Sequence, residues 1–222
     1  MGKILKIITI THSKGGTGKS MSSYQLTGMM HQKKIKYLTI DCDTDNRTIS
    51  TINDYIRQGQ KLNIVLATSS IMLQELIEEA KNQNIDIVLI DTGGNSNEIT
   101  REALKLSDKI ITPISHDSVT EVVGYTRFKS VLNMVGNPKI HIAFTNVNTQ
   151  TTKFMNVINV LKTYENLEIM EHGLKSRNIY KQSISKGLSV YELKPTNNNK
   201  FNQQLKTAKN ELKQFYQEIL KE

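Results

Sequence analysis

The sequence predicts an α/β protein: a mostly parallel, twisted sheet with helices on both faces, in a single domain spanning residues 1–222. Three observations carry this. Short β-branched runs alternate with stretches of helical periodicity, the pattern of right-handed βαβ crossovers. One run, Ile85–Ile90, is almost continuously apolar and ends in Asp91, as a strand buried on both faces of a parallel sheet does. The chain has 222 residues, 37% hydrophobic and 23% charged, enough for a sizeable core.

The elements follow in order. Ile4–Thr11 alternates and is β-branched, a first strand. Lys19–Gln32 is a helix offering Met21, Leu26, Met29 and Met30 for burial. Tyr37–Asp41 and Asn63–Thr68 are strands. Met72–Lys81 places Leu73, Leu76, Ile77 and Ala80 on one helical stripe. After Ile85–Ile90 comes the strand Ile110–Ile114, with Pro113 near its end. Ser118-Val119-Thr120-Glu121 has the form of a capping box and opens a helix to about Val135. Ile140–Thr145 is a strand, Phe154–Tyr164 a helix and Glu168–Met170 a short strand. Asn199–Leu220 closes the pattern as a helix with Phe201, Leu205, Ala208, Leu212, Phe215 and Ile219 on one face. No repeat or linker interrupts the series.

Composition narrows the function. Cys42 is the sole cysteine, so a disulfide framework and multi-thiolate metal sites are excluded, and a reducing, cytoplasmic setting is expected. No apolar run approaches the ~20 residues of a membrane span, and the first residues lack a signal-peptide block. Net charge is +8. Residues 151–222 hold 12 Lys/Arg against 7 Asp/Glu, so the surplus concentrates there. Such a surface attracts nucleic acid or anionic lipid.

Ligands of parallel sheets bind at the carboxyl ends of the strands. Just past the first strand stands Lys14-Gly15-Gly16-Thr17-Gly18-Lys19-Ser20. Its glycines let successive N–H groups turn toward phosphate oxygens, and the following helix adds its positive end. Lys19 is placed to reach the β- and γ-phosphates of a nucleotide, and the Ser20 hydroxyl to ligate Mg²⁺. The ordinary phosphate loop has a glycine at position 13, where this chain has Ser13, and it lacks the second lysine, Lys14.

That two-lysine loop resembles the deviant Walker A motif of the ParA/MinD ATPases. The resemblance implies a P-loop NTPase of that type, with ATP and Mg²⁺ as ligands and weak basal ATP hydrolysis. It also implies that Lys14 reaches across an ATP-bound homodimer to the partner's phosphates. Met21 stands where that family often has a second Ser/Thr, leaving its backbone N–H for the α-phosphate. Asp41-Cys42-Asp43 ends the second strand, with two carboxylates pointing the same way from an extended chain. One can hold the metal's waters while the other orients the attacking water. The family shows Asp-x-Asp-Pro-Gln here, against Asp41-Cys42-Asp43-Thr44-Asp45-Asn46 in this chain. By resemblance Asp43 positions the water. Asp91-Thr92-Gly93-Gly94 matches a Walker B strand end and switch loop, with Asp91 toward Mg²⁺ and Gly93 toward the γ-phosphate. Asn146 follows a later strand, where relatives place a nucleobase-contacting segment, and is a candidate for adenine.

Features such as Ser107–Pro113 and Tyr180–Tyr191 look like the small ParF-type branch of plasmid ParA proteins. The phosphate loop begins at residue 14, so the N-terminal helix-turn-helix of larger ParA proteins is not expected. Lys175, Arg177, Lys181 and Lys186 surround the segment 176–186 and are candidates for DNA phosphates. In relatives the corresponding region contributes to nonspecific DNA binding. The resemblance implies a DNA partition ATPase, cytoplasmic and nucleoid-associated. It would form ATP-dependent homodimers or higher assemblies, coat duplex DNA nonspecifically and be reset by a centromere-binding ParB- or ParG-like protein. The alternative is a MinD-like or conjugation-associated positioning ATPase at a membrane or pole. Glu211, Glu218 and Glu222 on the last helix disfavour stable insertion into anionic lipid. A metabolic P-loop ligase is a third reading, against which Lys14 argues.

Overall fold

The computed structural model describes residues 5–95, 97–115, 119–145, 158–159 and 161–221; several side chains between 119 and 127 lie outside this description. The described strands are β1 (Lys6–Ile10), β2 (Tyr37–Cys42), β3 (Ile64–Leu66), β4 (Ile87–Thr92), β5 (Lys109–Ile114), β6 (Ile140–Phe144) and β7 (Leu167–Ile169). They form one sheet in the order β3-β2-β4-β1-β5-β6-β7. Every pairing is parallel, so the expected mostly parallel sheet is wholly parallel among these strands.

The helices are α1 (Lys19–Gln32), α2 (Thr48–Thr51), α3 (Ser70–Asn82), α4 (Glu98–Leu106), α5 (Val119–Met134), α6 (Asn178–Ile184) and α7 (Asn199–Leu220). A single π-helical turn, Ile52–Ile56, continues α2. The bounds expected for α1 and α7 are those observed. Alternation along the strands builds two cores. Ile8, Ile10 and Leu89 point to the layer of α1 and α7, where they meet Leu26, Met29, Met30, Leu212 and Phe215. Ile7, Val88 and Ile90 point to the other layer, where they meet Leu73 and Ile77 of α3 and Ala103 of α4. β5 and β6 bury Ile110, Ile140 and Ile142 against Phe128 and Leu132 of α5.

Ser118 and the side chains of the capping box proposed at Ser118–Glu121 lie outside the described residues, as does most of the helix expected over Phe154–Tyr164.

α1 is buried on nearly every side, polar residues included, and several of those residues bond to specific partners. Thr27 Oγ1 donates to Ser23 O at 2.8 Å. Gln25 Nε2 donates to Ser183 Oγ at 2.9 Å, and Gln25 Oε1 accepts from Val190 N at 2.8 Å. A buried amide left without partners would cost about 1–3 kcal/mol. The helix behind the phosphate loop is therefore fixed in one rotation and tied to the segment around α6.

Candidate functional site

β1, β2 and β4 end side by side, and their carboxyl ends carry the site. Gly16 and Gly18 hold φ of 76° and 91°, left-handed values that let the loop wrap tightly and end as the N-cap of α1. Lys19 is buried, and its Nζ donates back across the loop to Lys14 O at 2.9 Å. Thr145, directly after β6, accepts no such role from sequence alone. Its Oγ1 donates to Thr17 O at 2.5 Å and braces the middle of the loop.

The three acidic candidates meet here. Parallel register sets Asp41 directly beside Asp91, and both are fully buried. Burial, with Asp41 adding like charge, pushes the Asp91 carboxyl from 3.8 up to about 7; Ser23, Ser20 and Lys19 pull the other way. Ser23 Oγ donates to Asp91 Oδ1 at 2.7 Å. Asp91 Oδ2 is buried with no hydrogen-bond partner among the described residues. Asp41 is also raised, chiefly by burial. Its oxygens accept from Asp43 N at 3.1 Å and Ser50 N at 3.0 Å, which pins the turn after β2. Asp41 thus holds backbone, whereas Asp91 offers an open oxygen.

Asp43 lines the cleft, and Asn46 holds it from two sides. Asn46 N donates to Oδ1 at 3.1 Å and Asn46 Nδ2 to Oδ2 at 3.0 Å. A β-carbon on Gly93 would lie 2.9 Å from Asp43 Oδ1 and 3.2 Å from its Cγ, so a side chain there would push the Asp43 carboxylate from its place. Asn95 Nδ2 donates to Asp45 Oδ2 at 2.6 Å and joins the same two loops. Asn46 and Asn95 escaped the sequence reading because side-chain amides in turns carry no spacing signal.

Between these groups lies a cleft of about 440 Å³, lined by Gly15, Gly16, Gly18, Lys19, Ser20, Met21, Asp43, Asn46, Thr48 and Gly94. It brings together the loop, Ser20, Met21 and Asp43, with Asp41 and Asp91 behind. Asn146 lies outside the described residues.

Among the described residues no three His, Cys, Asp or Glu side chains cluster as a metal cage. The orphan Asp91 oxygen, backed by Ser23, fits instead a hard cation that keeps most of its ligands as water and phosphate.

The basic candidates lie apart from the cleft. Lys175, Lys181 and Lys186 are exposed on and around α6. Arg177 is committed to Glu211: Nε donates to Oε2 at 2.9 Å and Nη2 to Oε1 at 2.5 Å. The glutamate is buried, so this pair holds α6 against α7.

A family model described as an AAA domain matches residues 5–85. Protein ParA of Rhizobium radiobacter is 21% identical over 122 residues, covering 54% of this chain and 53% of that protein. The chain thus matches about half the length of that relative. A structure from Borrelia burgdorferi B31, described as a plasmid partition protein bound to AMPPNP, is 20% identical with a TM-score of 0.61; 97% of this chain and 100% of that one are covered. The MinD cell division protein of Aquifex aeolicus is 17% identical with a TM-score of 0.67, covering 92% of this chain and 96% of that one. The fold is that of the ParA/MinD P-loop NTPases, and in motif and sequence the chain resembles the ParA/MinD type with the deviant Walker A loop.

Proposed function

We propose that this chain is a DNA partition ATPase of the small ParA kind, forming one domain over residues 1–222. The observation that carries the reading is the two-lysine loop after β1, whose cleft Asp43 lines from the end of β2, with Asp91 buried at the end of β4 and bonded to Ser23 of α1. ATP would lie in the cleft with its phosphates against the loop N–H groups and Lys19. Ser20 and Asp91 would hold magnesium, which when bound supplies positive charge to the phosphates. Ser23 keeps one Asp91 oxygen occupied and leaves the other for that ion. Asp43, fixed by Asn46, would orient the attacking water and accept its proton. Gly93 and Gly94 would let a backbone N–H after β4 approach the γ-phosphate, and Lys14 would cross to the partner's nucleotide. Basal turnover is slow in this scheme, and a centromere-binding ParB- or ParG-like protein stimulates it.

The ATP-bound dimer would bind duplex DNA through Lys175, Lys181 and Lys186, exposed on one segment. Two copies double that surface, and avidity rises without new contacts. This supports a cytoplasmic, nucleoid-associated setting. The alternative is a MinD-like or conjugation-associated ATPase acting at a membrane or pole. Against it stands α7: Leu205, Ala208, Leu212, Phe215 and Ile219 are spent in the core rather than offered to lipid. Among the described residues, no helix is long and apolar enough to cross a membrane.

The experiment is retention of duplex DNA with and without a nonhydrolysable ATP analogue, beside sedimentation with anionic vesicles. The expected result is nucleotide-dependent DNA binding without sequence preference. A protein that ignores DNA but sediments with vesicles favours the membrane reading instead.

A further inference from the structure

We infer that Gly124 of α5, together with His12, forms a seat that aims Lys14, making both positioning residues for the crossing lysine. The inference rests on the proposed role of Lys14 and adds the groups that direct it.

Glycine is among the poorest helix formers, yet Gly124 sits inside α5 and is buried. Its surroundings explain it. A β-carbon there would lie 3.2 Å from His12 Cε1, 3.5 Å from Lys14 Cβ and 3.7 Å from Lys14 Cδ. The stem of Lys14 therefore runs against the bare backbone of α5. The residue between them is latched to the same point, since Ser13 Oγ donates to Gly124 O at 2.9 Å. Three consecutive residues, His12, Ser13 and Lys14, thus touch one helical position where the loop begins.

His12 sets the other wall. It is fully buried, and its ring stacks on Phe128 of α5 at 6.0 Å between centroids and 11° between planes. Its Nδ1 accepts from Lys14 N at 2.9 Å, which places the ring proton on Nε2. Burial, and then the charges of Lys19 and Lys14, lower its pKa to about 3, so the wall is neutral. A protonated ring could not accept the Lys14 N–H. The backbone and the stem of Lys14 are both fixed before any nucleotide arrives, and pre-organisation of this kind reduces the entropy lost when a contact forms.

The test measures nucleotide affinity, thermal stability and self-association with a nonhydrolysable ATP analogue for the parent, Lys14→Gln, Gly124→Ala, Gly124→Val and His12→Asn. Asparagine keeps a short acceptor for the Lys14 N–H but removes the ring. The expected result is a split. The Gly124 and His12 variants bind the analogue within about twofold of the parent, while association weakens severalfold for Gly124→Ala and roughly tenfold or more for Gly124→Val. A purely structural glycine would give the opposite for Gly124→Ala, with better helix propensity and unchanged association. Gly124→Val associating like the parent while Lys14→Gln does not would overturn the seat. Loss of nucleotide binding in step with association in Gly124→Ala would overturn it too. Lys14→Gln associating like the parent would remove the crossing lysine itself, a failure of the underlying reading and distinguishable as such.

Discussion

Asp91 carries a cost in the nucleotide-free chain. Its carboxyl is buried beside Asp41, and its pKa stands at about 7 against an ordinary 3.8. Below about pH 4 the group is neutral in both the folded and the unfolded chain. Between about 4 and 7 the unfolded chain gives up the proton and the folded chain keeps it, so this contribution to stability is lost as pH rises through 7. Asp91→Asn is therefore expected to raise the melting temperature of the nucleotide-free protein at pH 8, by about 4 °C or more. The gain should shrink at pH 5, where the parent carboxyl is already neutral. Calorimetry at the two pH values checks this; an equal gain at both would contradict the burial cost. The same variant should lose the magnesium dependence of nucleotide binding. Asp43 differs, since Asn46 satisfies both its oxygens from within its own turn. Asp43→Ala is expected to keep nucleotide binding and lose about 10²-fold in hydrolysis, measured as phosphate release. Unchanged turnover would move the water-orienting role to another carboxylate. Most of these residues were legible because strand ends and glycine loops leave a spacing in sequence. His12, Asn46 and Thr145 were not, because a single side chain bonded across the fold leaves none.

Among the elements, α7 was legible to the residue because it joins a strong apolar stripe to an Asn198 cap, and α1 because the glycine loop before it marks its start. α2 with its π turn, α4 and α6 were not singled out. α2 and α6 are too short to show a period. α4 has an Asn97 cap and a stripe of Ile99, Ala103 and Leu104, but it follows a Gly/Asn-rich turn that reads as loop. Buried polar bonds, rather than apolar area alone, fix these short elements. Arg57 donates to Glu192 at side-chain exposures of 4% and 5%, and also to Gly187 O at 2.9 Å. Tyr24 of α1 donates to the same carbonyl at 2.8 Å. Arg57→Met would strand the Glu192 charge and is expected to cost about 3–5 kcal/mol. Arg57→Met with Glu192→Leu should recover most of that loss. Denaturant titration of both decides it; a double variant as unstable as the single would mean that the pair is not the source. The π turn and the end of α6 would then be held by other contacts.

At the scale of the whole molecule, charge and sheet order separate two surfaces. The central strands gather the phosphate loop and acidic residues at their carboxyl ends, while exposed lysines lie on and around α6, a segment joined to α1 through Gln25 and Tyr24. In the proposed mechanism DNA binding depends steeply on salt, and each phosphate-contacting lysine replaced by alanine lowers the slope of log affinity against log salt by about one. Filter retention of Lys175→Ala, Lys181→Ala and Lys186→Ala across salt concentrations checks this; unchanged slopes would place DNA elsewhere. The parallel sheet was legible because its strands are apolar on both faces. The basic surface was only partly so, since the Arg177–Glu211 pair across α6 and α7 is invisible in a linear reading. The proposed mechanism depends on nucleotide phosphates occupying the loop against Lys19. Calorimetric titration with a magnesium–ATP analogue tests this most directly, comparing the parent with Lys19→Ala at equal thermal stability. One bound nucleotide per chain in the parent, and a loss of 100-fold or more in the variant, on the order of 3 kcal/mol, is the predicted result. Near-parental affinity in Lys19→Ala would contradict it.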